Sequence, residues 1–599
     1  MKHHFGYSLF APLKSVSDLG KDYIVPTFGR YQYIEKEGEK AENIPYWTKD
    51  PIEVFSRQVV NTFQNESASL AEIERIDIVT GGDHGAGAFR APIRVIIKLQ
   101  SGKNLSQDTS IAHIQCKKDN DTVLTNTIIE PLRSGFKKLT EHPFMLFYDD
   151  NKLLQIKQVS ATEQRSDSMP MPNKIIRPNL YITGDLAYYV VMLGKEGSSG
   201  HWCYRCDLAK DIWKEANHNN GALWSNTTLK AMSDTGKVGP SAKGVKKYPL
   251  WDFVEVYNFI LPVLHTSMGM VNMAISNLMD VVDTQIERVP EVELQLRNRL
   301  TLNETVTQAL VDQRNLWDSG DEGKNIRTLV ARQKRNQDEF NEDDAALLVR
   351  LKSQRLVITN QLSLNRANRK RLVEDQSKMK KERLRKTGSL EGDLVNNILK
   401  KYYIKRQVFH SGDFNGVCCR RLMNNAQTIF DKLTQLFTEQ SNGSLTNDEI
   451  EQICETHCNL LVNMGEAFRL LRTIDPTEND AASCHTYIRS TMLIWRELGL
   501  SITPKAHIFE DHAVPQMRSI PGGLGMKTED FVEKAHEEGM RVDRRLQGMT
   551  EYDDKTRANL KFEEISQKYA VQKHIATVKL DSSHKYKKQR REYELSYYC

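Results

Sequence analysis

Two short pairs restrict this chain more than any other feature. "HWCYRC" sets Cys203 and Cys206 two residues apart, and roughly 300 residues later "HIFEDH" sets His507 and His512 with four residues between them. Cysteines at that spacing form half of a tetrahedral zinc site, and a histidine pair separated by three to five residues can supply the other half. One ion taking both pairs obliges the chain to leave a point and return to it. Closing so long a loop costs about 5 kcal/mol of chain entropy, whereas structural zinc contributes roughly 10–16 kcal/mol in small peptides. The rival is a redox Cys-x-x-Cys, which normally opens a helix after a strand in a small thioredoxin-like unit, a pattern absent here. A further trio, Cys454, His457 and Cys458 in "CETHCN", has metal-compatible spacing. It sits among Leu460, Leu461 and Met464 on a helical pattern, and packing in a helix core is the preferred reading.

A chain of 599 residues with 39% hydrophobic and 27% charged residues can build several domains, or one domain with large insertions. Its net charge of +5 is too small to identify a partner by itself. Nine cysteines, an odd number, suit a reducing compartment with thiols free or bound to metal. No apolar run reaches the ~18 residues needed to cross a bilayer, and the first twenty residues lack a signal-peptide pattern. A nuclear or cytosolic protein with no membrane partner is expected.

Residues 1–72 read as a lead-in segment with a helix near Val54–Phe63. "IERIDIVT", "APIRVIIKL" and "TSIAHIQC" then read as three strands, followed by a helical pattern over 121–139. "PFMLFYDD", "KLLQIKQV" and "NLYITGD" read as further strands, and Leu186–Leu193 as a helix. This order predicts an α/β fold: a mixed sheet with flanking helices, its first part spanning 73–210. A Gly-, Ser- and Lys-rich loop is expected at 230–248. A large all-helical insertion is expected over 211–500, closed by the zinc site. Residues 501–560 complete the core, and 561–599 form a basic tail.

Three acidic positions acquire meaning together. Asp83 lies in "GGDHGAGAFR", where the glycines permit close approach of a phosphate or simply serve a hairpin. Asp185 ends a strand, where it can work in a cleft or merely cap the next helix. Glu529, Glu533 and His536 fall at i, i+4 and i+7, on one helix face that is either functional or just solvated. Two strand-end aspartates and a glutamate from a late helix can hold two Mg2+ ions, because hard cations take carboxylate oxygens. Such a pair supports in-line phosphodiester displacement.

This ordered set resembles the catalytic core of DDE-type DNA transposases. It is most similar to the Transib transposases and the V(D)J recombinase catalytic subunit. Its carriers are "GGDHGAGAF", "ITGDL", "CYRC", "HIFEDH" and "TEDFVEKAH", with "FILPVLHTSMGMVN" (including His265) resembling the start of that family's helical insertion. The resemblance implies an RNase H-like sheet and Mg2+- or Mn2+-dependent nicking and strand transfer, often through a hairpin end. It also implies a homodimer acting on double-stranded transposon ends and target DNA. Asp83, Asp185 and Glu529 are the expected metal-binding carboxylates, with Glu533 the alternative to Glu529. Zinc is expected on Cys203, Cys206, His507 and His512. The stretch 366–386 carries ten basic and three acidic residues, and reads equally as a phosphate-tracking surface or a solvated helix. "KYKKQRR" (585–591) fits a nuclear import signal. The competing classes are a DNA-binding scaffold that has lost turnover and a structure-selective nuclease.

Overall fold

The computed structural model describes residue 24 and residues 26–567, except 35–40, 65–67, 86, 117–120, 160–172, 198–199, 216–217, 219–220, 237–241, 287–290, 336–339, 386–389, 391–394, 408–411, 442 and 547. By its internal contacts the chain falls into two units, residues up to Met270 with those from Asn463 onward, and Val271–Val462.

The first unit is mixed α/β. It contains strands β1 (Thr27–Tyr33), β2 (Glu42–Thr48), β3 (Ile73–Gly85), β4 (Ala88–Leu99), β5 (Asn104–Ile114), β6 (Phe144–Tyr148), β7 (Leu154–Gln158), β8 (Asn173–Ile176) and β9 (Asn179–Gly184). The six-stranded sheet has the order β1-β2-β5-β4-β3-β9. β3, β4 and β5 form an antiparallel meander, and β9 joins β3 in parallel. β4 lies in the middle because its run "AFRAPIRVIIKL" is apolar almost throughout, as a strand covered on both faces must be. Pro92, which cannot donate to the ladder, falls at a register shift opposite β5.

The lead-in segment is more structured than its composition suggests: β1 and β2 extend the sheet, and the Pro51–Gln64 helix packs on β4 and β5. β6, β7 and β8 form a separate three-stranded sheet. The 230–248 loop is helical at its start, within Asn226–Asp234. The Tyr552–Gln567 helix runs past 561, the expected start of the tail. The proposed import signal lies outside the described residues.

Gly81 shows how closely β3 and β9 approach. A Cβ there would lie 1.8 Å from the Thr183 carbonyl oxygen. Gly81→Ala should therefore split the pair and destabilise the fold by about 3 kcal/mol or more, beyond ordinary overpacking. Denaturant unfolding measures this.

Gln516, 1% exposed, closes another long connection. Its Oε1 accepts the Leu261 N–H at 2.8 Å, and its Nε2 donates to the Phe259 and Tyr257 carbonyls at 2.7 and 3.1 Å.

The second unit, narrower than 211–500, is helical. Its Glu291–Ser319, Asp321–Arg335 and Glu342–Arg385 helices pack together around Leu329, Leu348 and Leu351. Across the first and third of these, Asn303 Nδ2 donates to Asn365 Oδ1 at 2.9 Å, and Arg369 pairs with Glu304 at 2.9 Å. Arg366, Lys370, Arg371 and Lys378 are exposed. Cys454, His457 and Cys458 are buried, with His457 Nε2 2.9 Å from Asn277 Oδ1 and Cys458 Sγ 3.6 Å from Gln427 Oε1.

Candidate metal centres

The parallel pairing of β3 and β9 ends with the rungs Gly81–Thr183 and Gly82–Gly184, and the next residue of each chain segment is an aspartate. Asp83 and Asp185 therefore stand side by side, lining a cavity of about 200 Å3 with His84 and Tyr188. Asp185 also caps the Leu186–Met192 helix, its Oδ1 accepting the Tyr188 N–H at 2.7 Å. The capping reading thus holds, and the same side chain also lines the cavity.

The Asp530–Arg545 helix packs on β3, β4 and β5. Gly539 lets it press on Arg90, where a Cβ would come within 2.6 Å of the guanidinium, and Arg90 pairs with Asp543. This seating brings Glu533 into the field of Asp83. Burial, then Glu533, then Asp185 raise the Asp83 carboxyl to about 7, and His265 opposes them.

Glu529 sits differently, at 1% exposure. Its Oε1 accepts the His265 backbone N–H at 2.9 Å and lies 3.4 Å from His265 Nδ1, at the start of the Val263–Val281 helix. Burial disfavours a charged imidazole, but Glu529, then Asp185 and Asp83, raise His265 to about 9. The three carboxylates thus share a cationic neighbour.

A carboxyl held protonated by burial and like charges has a stability signature. Asp83 rises from 3.8 to about 7, so the stability it contributes is full below about 4 and lost as pH climbs through 7. In metal-free protein at pH 8, Asp83→Asn should raise the melting temperature by removing that repulsion. An unchanged or lower melting temperature would contradict the crowding.

The second cluster joins the Cys203/Cys206 pair to the His507/His512 pair. Ligand atoms of Cys203, Cys206, His507 and His512 all lie within 4.8 Å of one another, and all four residues are buried. Cys206 Sγ is 3.3 Å from His507 Nε2, the Arg205 N–H points to Cys203 Sγ at 3.3 Å, and the buried His512 Nε2 has no hydrogen-bond partner. Two thiols and two imidazoles converging this closely can hold a metal ion such as zinc. Around them, Asp511 Oδ2 lies 3.0 Å from His507 Nδ1 and 2.8 Å from His218 Nε2, and Trp213 stacks on His507 with centroids 4.4 Å apart. A carboxylate on the far imidazole nitrogen fixes the tautomer that leaves the other nitrogen free to ligate. The eight cysteines among the described residues are all unpaired as disulfides.

The sequence reading had no role for His265, His218 or Trp213 in these sites. Asp511 was visible four residues after His507, on the same helix face. No helix among the described residues is long and apolar enough to cross a membrane. No protein-family model matches this chain, and no curated protein matches it.

Proposed function

We propose that the chain is a DDE-type, divalent-cation-dependent DNA transposase or recombinase that nicks DNA and transfers strands. One observation carries this reading: Asp83 and Asp185 directly follow the last rung between two parallel strands, beneath a helix whose Glu533 helps raise Asp83 to about 7. The RNase H-like core implied by the resemblance gains support from an antiparallel meander followed by a strand parallel to its first member.

The donors suit Mg2+ or Mn2+, being hard carboxylate oxygens around a small cavity. Asp83, Asp185 and Glu533 would hold the ions, while Glu529 anchors the helix start at His265. Bound there, a cation pair supplies activation of the attacking oxygen and charge neutralisation at the leaving one. Asp185 presents its carboxylate from a fixed angle because Oδ1 is tied to the helix N-terminus. Asp83 must be deprotonated to ligate, so cation affinity rises as pH passes through about 7.

Zinc on Cys203, Cys206, His507 and His512 fits the same proposal as a structural ion, supported by the orphaned His512 Nε2. The partners would be double-stranded transposon ends and target DNA, with the exposed cations of the Glu342–Arg385 helix available to phosphates. Action in the nucleus as a homodimer completes the proposal.

The test is nicking of supercoiled plasmid with Mn2+, comparing wild type with Asp185→Asn. Asparagine caps helices as well as aspartate does, so this variant should stay folded and lose nicking. Equal nicking by both proteins would leave a DNA-binding scaffold as the better description. Nicking without strand-transfer products would instead indicate a plain nuclease.

A further inference from the structure

Six residues before Asp83 on the same strand, another carboxylate is buried outright: Asp77 is 1% exposed. Its Oδ2 lies 3.1 Å from Lys527 Nζ and accepts Arg75 Nε at 3.0 Å, and its Oδ1 accepts Asn179 Nδ2 at 2.9 Å. Lys527 is itself 2% exposed. Its ammonium also donates to the Pro521 carbonyl at 2.8 Å and stands 5.1 Å from the centroid of the Tyr181 ring.

Taking a carboxylate and an ammonium out of water costs several kcal/mol per ion, and apolar residues of similar volume are often at least as stabilising. Stability alone is therefore a poor reason for this pair. The elements it joins supply a better one. Asp77 is on β3, which leads to Asp83, while Asn179 and Tyr181 are on β9, which leads to Asp185. Lys527 lies just before the Asp530–Arg545 helix that carries Glu533. From the Asp77–Asn179 rung to Gly82–Gly184 the two strands run as one rigid ladder. An apolar contact tolerates sliding of a helix, but a buried ion pair is lost by a shift of one turn, about 5.4 Å.

We infer that the Asp77–Lys527 pair is a positioning device, setting the register of the Glu533 helix against the two strand-end aspartates so that all three carboxylates share one divalent cation site. The inference rests on the reading that Asp83, Asp185 and Glu533 bind such a cation.

The test uses the full chain with Mn2+, counting free ion by electron paramagnetic resonance, alongside thermal unfolding in the absence of added metal. Wild type, Asp83→Asn, Asp77→Asn, Lys527→Arg and the apolar double variant Asp77→Leu/Lys527→Met are compared. The double variant leaves Arg75 and Asn179 without their acceptor and should melt below wild type. Measured well below its melting temperature, it should bind Mn2+ at least tenfold more weakly, while Lys527→Arg, which keeps the charge, stays nearer wild type. A merely structural pair would lower the melting temperature and leave affinity untouched. Should the double variant not fold, the nearly isosteric Asp77→Asn, measured well below its melting temperature, decides: wild-type affinity there overturns the inference. Equal Mn2+ binding by wild type and Asp83→Asn sinks the cation reading and the inference with it. Asp83-dependent binding that ignores the pair sinks the inference alone.

Discussion

Glu533→Gln should reduce Mn2+-dependent nicking by about a thousandfold or more, whereas Glu529→Gln should act mainly on stability. The difference follows from where each carboxylate is spent. Among the charges around Asp83, Glu533 is the one that does most to keep its proton on. On the proposed function, an amide there removes a negative ligand from a site that would concentrate positive charge on a phosphodiester. Losing about 4 kcal/mol of such stabilisation corresponds to roughly a thousandfold in rate. Glu529 instead is fully buried and tied to His265 through both the backbone N–H and the imidazole. The amide of Glu529→Gln can still accept the N–H through its carbonyl oxygen, but it strands the neighbouring cation, which should cost about 1–3 kcal/mol. Single-turnover nicking and thermal unfolding of both variants separate the roles. Equal losses of nicking with no change in melting temperature would refute this division.

Cys203→Ser should release one zinc equivalent per chain and destabilise the first unit by several kcal/mol. The four ligand atoms lie within 4.8 Å of one another in buried surroundings. Without an ion, that convergence leaves two thiols and an unpartnered His512 nitrogen packed together. Structural zinc contributes roughly 10–16 kcal/mol in isolated fingers, and only part of that should be felt where a large core also holds the fold. Metal analysis after exhaustive dialysis, with denaturant unfolding, measures both effects. Retention of a full equivalent by Cys203→Ser would point to Cys454 and Cys458 instead. Asp511→Asn should give a milder version, with metal affinity about 10- to 100-fold weaker and the fold intact.

Much of this arrangement could be read from residue order. The three strands from 73 to 116, the strand ending at Asp185 and the paired Cys and His motifs all carry local signals: continuous apolar runs, glycine punctuation, ligand spacing. What escaped was information held in three dimensions. β1 and β2 look like lead-in chain because "FGRYQY" and "NIPYWT" are only partly buried and gain strand character by pairing, β2 meeting β5 over just three residues. β6 and β7 have good strand patterns, but nothing local says that they leave the main sheet. Glu529 and Glu533 share a helix face in the sequence, and only the seating of Gly539 on Arg90 distinguishes a buried anchor from a carboxylate beside Asp83. His265 is a lone histidine after an apolar run, with no spacing rule to mark it. The Asp77–Lys527 pair is about 450 residues apart along the chain, beyond any periodicity.

The hydrogen bonds of Gln516 to residues 257–261 bear on how such a chain can change over time. They fasten the outgoing stretch of chain to the incoming one at the foot of a very long excursion. With the foot held, doubling the excursion's length costs only about 0.6 kcal/mol. The stretch from Val271 to Val462 can then lengthen, shorten or take on new surfaces with little thermodynamic consequence for the first unit. Novelty in this lineage should accumulate there, and the carboxylates should inherit none of it.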